Sequence, residues 1–185
     1  MAHSVCPWWL GYFLASPFRR LWQDPAGILR PFVRAGMTVV EPGCGMGFFT
    51  IELARLVGSS GRVVALDLQP RMLSGLARRV RKAGVTDRID ARLVSPASLG
   101  IDDLVGTVDF VLAFAVVHEL PDAARFFAEI HMALKPGRQM LLAEPRNHVS
   151  EDDFAAMVDL ATKSGFRTGS GPAIRSSLTV VLERS

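Results

Sequence analysis

The chain has 185 residues, of which 49% are hydrophobic and 21% charged. This length suits one domain with enough apolar residues for a sizeable core, so we expect a single domain over residues 1–185. A net charge of +3 and a pI near 9.3 permit an acidic partner but do not require one. Two cysteines allow at most one disulfide, which favours a reduced, cytoplasmic protein.

The apolar N-terminal run at 6–15 resembles the core of a secretory signal only superficially. No Lys or Arg precedes it, whereas signal peptides carry a positive leading region. It is also shorter than the ~20 apolar residues that cross a bilayer. We therefore expect it to stay with the chain, as part of a helical segment over 1–35 that precedes a core at 36–185.

Strands and helices alternate along the rest of the chain. Two short helices are predicted near 17 and 25, because a capping residue precedes proline at both places. Periodicity and turn signals then predict the remaining elements. Strands are expected at 37–41, 62–67, 89–94, 107–113 and 139–143, helices at 48–56, 69–83, 121–134 and 150–163, and a hairpin at 166–182. This alternation is typical of a doubly wound α/β sheet.

The most specific pattern is an apolar run that ends at Glu41 and is followed by Gly43, Gly45 and Gly47. Glycines allow sharp turns and let a ligand approach the main chain, and a helix that begins after them presents free N–H groups. Asp67 follows Gly47 by 20 positions, after a second apolar run, and its carboxylate suits a ribose diol. Together these residues predict a nucleoside-cofactor site.

The dinucleotide fingerprint of dehydrogenases shares these parts but requires the spacing G-x-G-x-x-G/A. Counted from Gly43, the last small residue falls on Phe48, and counted from Gly45 it falls on Ile51. The spacing therefore disfavours an NAD-dependent oxidoreductase.

The spacing Glu41-x-Gly43-x-Gly45-x-Gly47 instead resembles the first motif of the class I S-adenosylmethionine (AdoMet) methyltransferases. Three further matches follow in the family's order, at 63–67, 108–114 and 134–137. The resemblance covers roughly residues 25–185, and the nearest likeness is to small enzymes similar to ubiquinone/menaquinone-biosynthesis methyltransferases. It implies a Rossmann-like, mostly parallel sheet with an antiparallel C-terminal strand.

By this resemblance, Glu41 contacts the methionine end of AdoMet, Asp67 accepts the ribose hydroxyls and Leu68 packs on adenine. The expected cofactor-binding set is Glu41, Gly43, Cys44, Gly45, Gly47, Asp67, Leu68, Ser95, Pro96, Ala97 and Phe114. Ser95 stands where many family members have an acidic residue for the adenine amino group. Local alternatives stay open: Glu41 as a cap for loop amides, Asp67 as a helix cap and glycines that serve the turn alone.

Acceptor-side groups in this family follow strand four, where the chain carries His118 and Glu119. The Asn/Asp-Pro-Pro-Tyr/Phe motif of enzymes that methylate base amino groups is absent, which disfavours that reaction. A histidine titrates near neutrality and can remove a proton from an acceptor, so His118 with Glu119 forms the candidate catalytic pair. Alternatively, His118 bonds the loop and Glu119 caps the next helix. His148 is a second candidate base.

The aromatic N-terminal segment has three interpretations: a lid over the cofactor, a helix packed on the sheet edge, or peripheral membrane contact through Trp8 and Trp9. The basic residues at 71–92 lack interleaved aromatics, which favours a solvated face and predicts no nucleic-acid partner. No metal site is expected, because the spacing of the candidate ligands matches no structural zinc pattern. These candidates are His3, Cys6, His118 and His148.

The sequence thus predicts an AdoMet-dependent methyltransferase. It would transfer the methyl group to a small-molecule acceptor by in-line displacement, and a hydrophobic or lipid-like acceptor is one option. The alternatives are a non-catalytic AdoMet-binding or regulatory module and an RNA methyltransferase.

Overall fold

The structure is a computed structural model that describes residues 23–185. The helix predicted near residue 17 and the contacts expected of Trp8 and Trp9 lie outside these residues. The described residues fall into two compact units, 23–94 and 95–185, which we treat separately. No helix of residues 23–185 is both long and apolar enough to cross a membrane.

The first unit contains a three-stranded parallel sheet in the order β3-β2-β1. In the described part of the sequence, one α-helix precedes the first strand and one α-helix lies between each pair of successive strands. The register pairs Val40 with Val64, and Ala65 with Ala91. A short 3-10 helix, Thr86–Arg88, precedes the last strand. The elements are α1 (Pro25–Leu29), β1 (Thr38–Pro42), α2 (Thr50–Val57), β2 (Arg62–Asp67), α3 (Pro70–Ala83) and β3 (Ile89–Leu93).

Local sequence signals account for the ends of these helices. The Asp24 carboxylate accepts a hydrogen bond from the Ala26 N–H and caps the start of α1. Gly84 ends α3 with a left-handed φ of 68°, a conformation that costs glycine little. Strand β2 is buried from Val63 to Asp67, which places the carboxyl end of that strand inside the unit.

The second unit contains four strands in the order β4-β5-β7-β6. Strands β4 and β5 are parallel, and β7 pairs antiparallel with both β5 and β6. Short 3-10 helices occupy Asp102–Leu104 and Val117–Glu119. The elements are β4 (Val108–Phe114), α4 (Ala123–Ala133), β5 (Leu134–Pro145), α5 (Glu151–Lys163), β6 (Phe166–Ser170) and β7 (Ser177–Arg184).

Strand β4 is buried from Val108 to Ala113, as its continuous apolar sequence predicts. Its one acidic residue, Asp109, is 9% exposed and accepts a hydrogen bond of 2.7 Å from the Lys135 ammonium. The Arg138 guanidinium lies 3.7 Å from the same oxygen. These cations explain how a buried strand tolerates a carboxylate.

The predicted class, a mostly parallel α/β sheet with an antiparallel C-terminal strand, is confirmed. Three predicted element starts are wrong by two residues or more, those of α2, α4 and β5, and α4 begins at Ala123 and not at 121. Helix α2 begins at Thr50 and not at 48, because Gly47 still has a φ of 83°. Strand β5 begins at Leu134 and not at 139. The Lys-Pro-Gly segment, which was expected to precede the strand, therefore lies within it. The pairing of β5 with β4 shifts its register between Val108 and Phe110 of β4.

Phe127→Ala is expected to lower the free energy of unfolding by about 3–5 kcal/mol, because its fully buried ring on α4 would leave a cavity. Met132→Ala on the same helix is the control: its side chain is 47% exposed, so we expect a change within about 0.5 kcal/mol. Urea denaturation of both variants measures the difference. Equal costs would contradict the described core.

Candidate functional site

The glycine loop between β1 and α2 is held in a conformation that depends on its glycines. Gly43, Gly45 and Gly47 have φ values of 68°, 53° and 83°. The Cys44 N–H donates to the Leu66 carbonyl at 3.0 Å, which ties the loop to β2. Among the residues that the structure describes, none comes within 4 Å of a Cβ built at Gly45, so none of them covers the main chain there. This is the backbone exposure that close approach of a ligand requires.

Close packing against α3 fixes the other side of the loop. A Cβ at Gly47 would lie 2.4 Å from Cδ1 of Leu76. A Cβ at Gly75 would lie 2.7 Å from Cγ of Met46, whose buried side chain also packs with Met72. Glycine is therefore needed on both surfaces of this contact.

Asp67 ends β2 and holds the loop through both carboxylate oxygens. Oδ2 accepts a hydrogen bond from the Gly45 N–H at 2.9 Å, and Oδ1 accepts one from the Gln69 N–H at 2.9 Å. Burial raises the pKa of Asp67, and the backbone hydrogen bonds oppose that rise. The Leu68 N–H also bonds this carboxylate. Because a carboxylate can accept about four hydrogen bonds, support of the start of α3 and acceptance of a ribose hydroxyl are compatible. Leu68 follows, half-buried.

Two polar side chains beside the loop lack the partners that burial normally demands. Oε2 of Glu41 and Oγ1 of Thr50 are both buried without a hydrogen-bond partner in the part of the chain that the structure describes. Burial raises the pKa of Glu41 to about 8. The Thr50 hydroxyl lies close enough to the carboxyl to lower this pKa without completing a hydrogen bond to it, and the nearby Asp67 carboxylate raises the pKa further. A buried acid in this state accepts a cation or a hydrogen-bond donor readily.

Cys44, within the loop, is a buried free cysteine. Burial raises the pKa of its thiol, and the Glu41 and Asp67 carboxyls raise it further. The side chain therefore stays a neutral thiol, which is the state of a small packing group and not of a nucleophile.

In the second unit, Glu144 joins the segment after β4 to the end of β5. Its side chain is fully buried, and Oε1 accepts hydrogen bonds from the N–H groups of Val116 at 3.3 Å and Val117 at 2.7 Å. Oε2 lies 2.6 Å from Nδ1 of His118. The turn starts at Ala115, whose φ of 55° is unusual for a residue with a Cβ.

His118 is therefore partly enclosed by acidic groups. The hydrogen bond to Glu144 raises the pKa of His118 against the opposing effect of burial, and the charges of Glu144 and Glu119 raise it further. Oε1 of Glu119 lies 4.0 Å from Nε2. The ring of His148 stacks on that of His118 at 5.8 Å, which brings the two predicted bases together. The alternative in which Glu119 caps the next helix is wrong, since Asp122 is the N-cap of α4.

The residues expected near adenine line a groove of the second unit. Ser95, Pro96 and Ala97 are exposed and border it with Phe126 and Glu129. The Ala97 N–H donates to Oγ of Ser95 at 3.3 Å, so these two polar groups bond each other. Their role toward adenine stays a prediction, as does that of Phe114, the last residue of β4.

A family model described as a methyltransferase domain matches residues 34–172, most of the chain. The chain belongs to this family. The membership confirms the resemblance to AdoMet-dependent methyltransferases that the loop spacing and its companion motifs indicate. The model covers both the glycine loop and the His118–Glu144 pair, but it assigns no role to individual residues.

Curated relatives of this methyltransferase domain include two enzymes of quinone biosynthesis. A demethylmenaquinone methyltransferase of Lactiplantibacillus plantarum is 33% identical over 57% of this chain and 44% of its own length. A ubiquinone/menaquinone biosynthesis C-methyltransferase of Marinomonas sp. is 27% identical over 71% of this chain and 51% of its own. The chain thus spans about half the length of the curated relatives it matches.

A solved structure shows the same fold over nearly the whole chain. The SAM-dependent methyltransferase of Aquifex aeolicus superposes with a TM-score of 0.86, covering 98% of this chain and 100% of the other, at 24% identity. At that identity the likeness establishes the fold alone.

Sequence reasoning missed two residues of these sites. Thr50 looked like an ordinary helix residue, and only its buried hydroxyl beside the loop distinguishes it. Glu144 is absent from the residues that the sequence analysis singles out. Its signal was an acid directly after the apolar run of β5, which is also the signal of Glu41 after β1.

Gly47→Ala should destabilise the protein strongly, because its Cβ collides with Leu76 and its φ of 83° disfavours alanine. Gly45→Ala is the matched control: its φ is also positive, but a Cβ meets no described residue within 4 Å, so we expect only about 1 kcal/mol of strain. Denaturant unfolding compares the two. If both variants lose the same free energy of unfolding, packing of the loop on α3 does not add to the cost of Gly47→Ala.

Glu41→Gln tests the buried acid without a ligand. Between pH 5 and 8 the unfolded wild type has this carboxyl ionised while the folded state keeps its proton, so folding stability should fall by up to about 1.4 kcal/mol per pH unit through this group. The Gln variant lacks this component, so its stability relative to the wild type should rise with pH. Glu151→Gln, at a side chain that is 80% exposed, should keep the wild-type slope. If the folding stability of all three proteins changed with pH at the same slope, Glu41 would be ionised in the folded state and the expectation would be wrong.

Proposed function

We propose that this domain binds AdoMet and catalyses transfer of its methyl group to a small molecule. The observation that carries the proposal is the pair of unpartnered buried groups, Oε2 of Glu41 and Oγ1 of Thr50, beside a glycine loop whose main chain at Gly45 none of the described residues covers. When bound, AdoMet supplies an electrophilic methyl group on a sulfonium centre. The described residues fit such a ligand, because it brings the cation and donors that the buried acid lacks.

The roles of the cradle residues follow from their chemistry. Glu41 would pair with the positively charged methionine end, where attraction in a buried site is stronger than in water. Asp67 would accept a ribose hydroxyl with the lone pair that the backbone N–H groups leave free. The remaining assignments rest on the family resemblance: backbone contacts of Gly43, Cys44 and Gly47, and adenine or cofactor contacts of Leu68, Ser95, Pro96, Ala97 and Phe114.

For the acceptor we propose a small, hydrophobic molecule. The two curated relatives bear names of enzymes that methylate quinone precursors, which supports an aromatic acceptor of this kind. The basic residues of α3 do not argue for a nucleic-acid partner. Arg71, Arg78 and Arg81 lie on the exposed side of an amphipathic helix that has no aromatic residue to stack on a base, and this is typical of a solvated face.

Calorimetry with AdoMet should show one binding site per chain in the wild type, and Asp67→Ala should weaken binding at least tenfold, because both the loop anchor and the ribose acceptor are lost. The matched control is Asp87→Ala, which removes an aspartate of the same unit whose side chain is 67% exposed; its affinity should equal that of the wild type.

Absence of AdoMet binding by the folded wild type would overturn the proposal. Binding without release of labelled methyl to any member of an acceptor panel of phenols, naphthalene diols, thiols and amines would instead support a non-catalytic AdoMet-binding module. Transfer to RNA in preference to all of these would overturn the small-molecule assignment.

A further inference from the structure

We propose that Glu144 is a positioning residue that holds His118 with its proton on Nδ1 and so leaves Nε2 to accept a proton from the reacting atom of the methyl acceptor. This inference rests on the proposed function. It assigns a role to a residue that sequence patterns leave without one, and it narrows the chemical class of acceptor.

The hydrogen-bond geometry of Glu144 determines the tautomer of His118. An ionised carboxylate only accepts hydrogen bonds, so Nδ1 at 2.6 Å must be the donor. The carboxylate cannot rotate away from the ring, because its other oxygen accepts from the Val116 and Val117 N–H groups.

Nε2 is the ring nitrogen that remains for proton transfer. The His118 side chain is 19% exposed, and Oε1 of Glu119 lies 4.0 Å from Nε2. The exposed ring of His148 stacks on His118 and limits its tilt. A histidine with one nitrogen fixed by a buried acid and the other reachable is the arrangement of an oriented general base.

The charged groups around the imidazole ring of His118 increase its basicity. Glu144, Glu119 and His148 are the titratable neighbours, on β5, the 3-10 helix and the segment after β5. The two carboxylates raise the pKa of His118, so the imidazolium that forms on accepting a proton is stabilised.

This arrangement selects acceptors whose reacting atom loses a proton, such as a phenol or enol oxygen or an activated carbon. In the balanced reaction, the bond from the acceptor atom to the methyl carbon forms as the carbon–sulfur bond breaks, and the sulfur keeps the electron pair as a thioether. The acceptor's proton binds Nε2 and then passes to water. Thioethers and tertiary amines, which release no proton, have no need of the base.

The variant Glu144→Gln tests the orientation of the His118 ring while it keeps the backbone hydrogen bonds that support the local fold. Its amide oxygen can still accept from the Val116 and Val117 N–H groups, but its NH₂ group would donate to Nδ1 and place the proton of neutral His118 on Nε2. Nitrogen-detected NMR of labelled protein, with the ring assigned by comparison with His118→Gln, resolves the four histidines of the chain. We expect the Nδ1–H tautomer in the wild type and the Nε2–H tautomer in the variant, with a midpoint about one to three pH units lower.

The matched control is Glu119→Gln, which removes a charge near the same ring without a bond to Nδ1 and should lower the midpoint less while keeping the wild-type tautomer. Glu144→Asp should keep that tautomer if the shorter acid still reaches the ring. An unchanged tautomer and midpoint in Glu144→Gln would overturn the positioning role.

Methyl transfer tests the consequence for catalysis. For any acceptor that the wild type methylates, kcat should fall about 10²–10⁴-fold in Glu144→Gln, while AdoMet affinity measured by calorimetry stays at the wild-type value. An unchanged kcat, or a preference for thioether acceptors, would overturn the inference. Failure of the wild type to bind AdoMet would overturn the proposed function instead, and the NMR measurement would still decide the orientation of His118.

Discussion

The structure places carboxyl groups in the interior at the carboxyl ends of strands, and each must be neutralised or bonded there. Asp67 at the end of β2 is bonded to loop amides, and Glu144 near the end of β5 is bonded to two amides and an imidazole. Glu41 in β1 has an oxygen with no partner among the described residues, and its pKa rises to about 8. Two of these acids therefore hold local geometry, and the unpartnered oxygen of the third is the reason that we propose Glu41 as a ligand contact.

The glycine loop obeys a second constraint, close packing on one side and an uncovered main chain on the other. A Cβ at Gly47 or Gly75 would have to displace a buried side chain, while the main chain at Gly45 is not covered by any of the residues that the structure describes. Asp67 joins the two requirements because it binds both the Gly45 N–H and the Gln69 N–H at the start of α3. In the proposed site, this packing holds the loop in place before a ligand binds, which would reduce the entropic cost of association.

Much of the fold was predictable because its signals are local. Asp24 and Ser150 cap helices where a capping residue precedes a helical pattern, and Gly58 and Gly84 end helices as expected. The predicted bounds are wrong where a contact that is distant in sequence determines where an element begins. Strand β5 starts five residues early because its pairing with β4 resumes across a register shift, and α2 starts late because the loop keeps its left-handed glycine until residue 47. Neither effect is visible in the periodicity of the element itself.

By itself the sequence determined the family and the cofactor chemistry and predicted the cradle residues, since spacing within one loop and an acid at the end of a strand are read along the chain. Tertiary structure alone decided which polar groups meet. His118 and Glu144 are 26 positions apart, and only the parallel pairing of β4 with β5 brings their ends together. The unpartnered state of Glu41 and Thr50 is likewise a property of burial, which depends on packing and not on residue type.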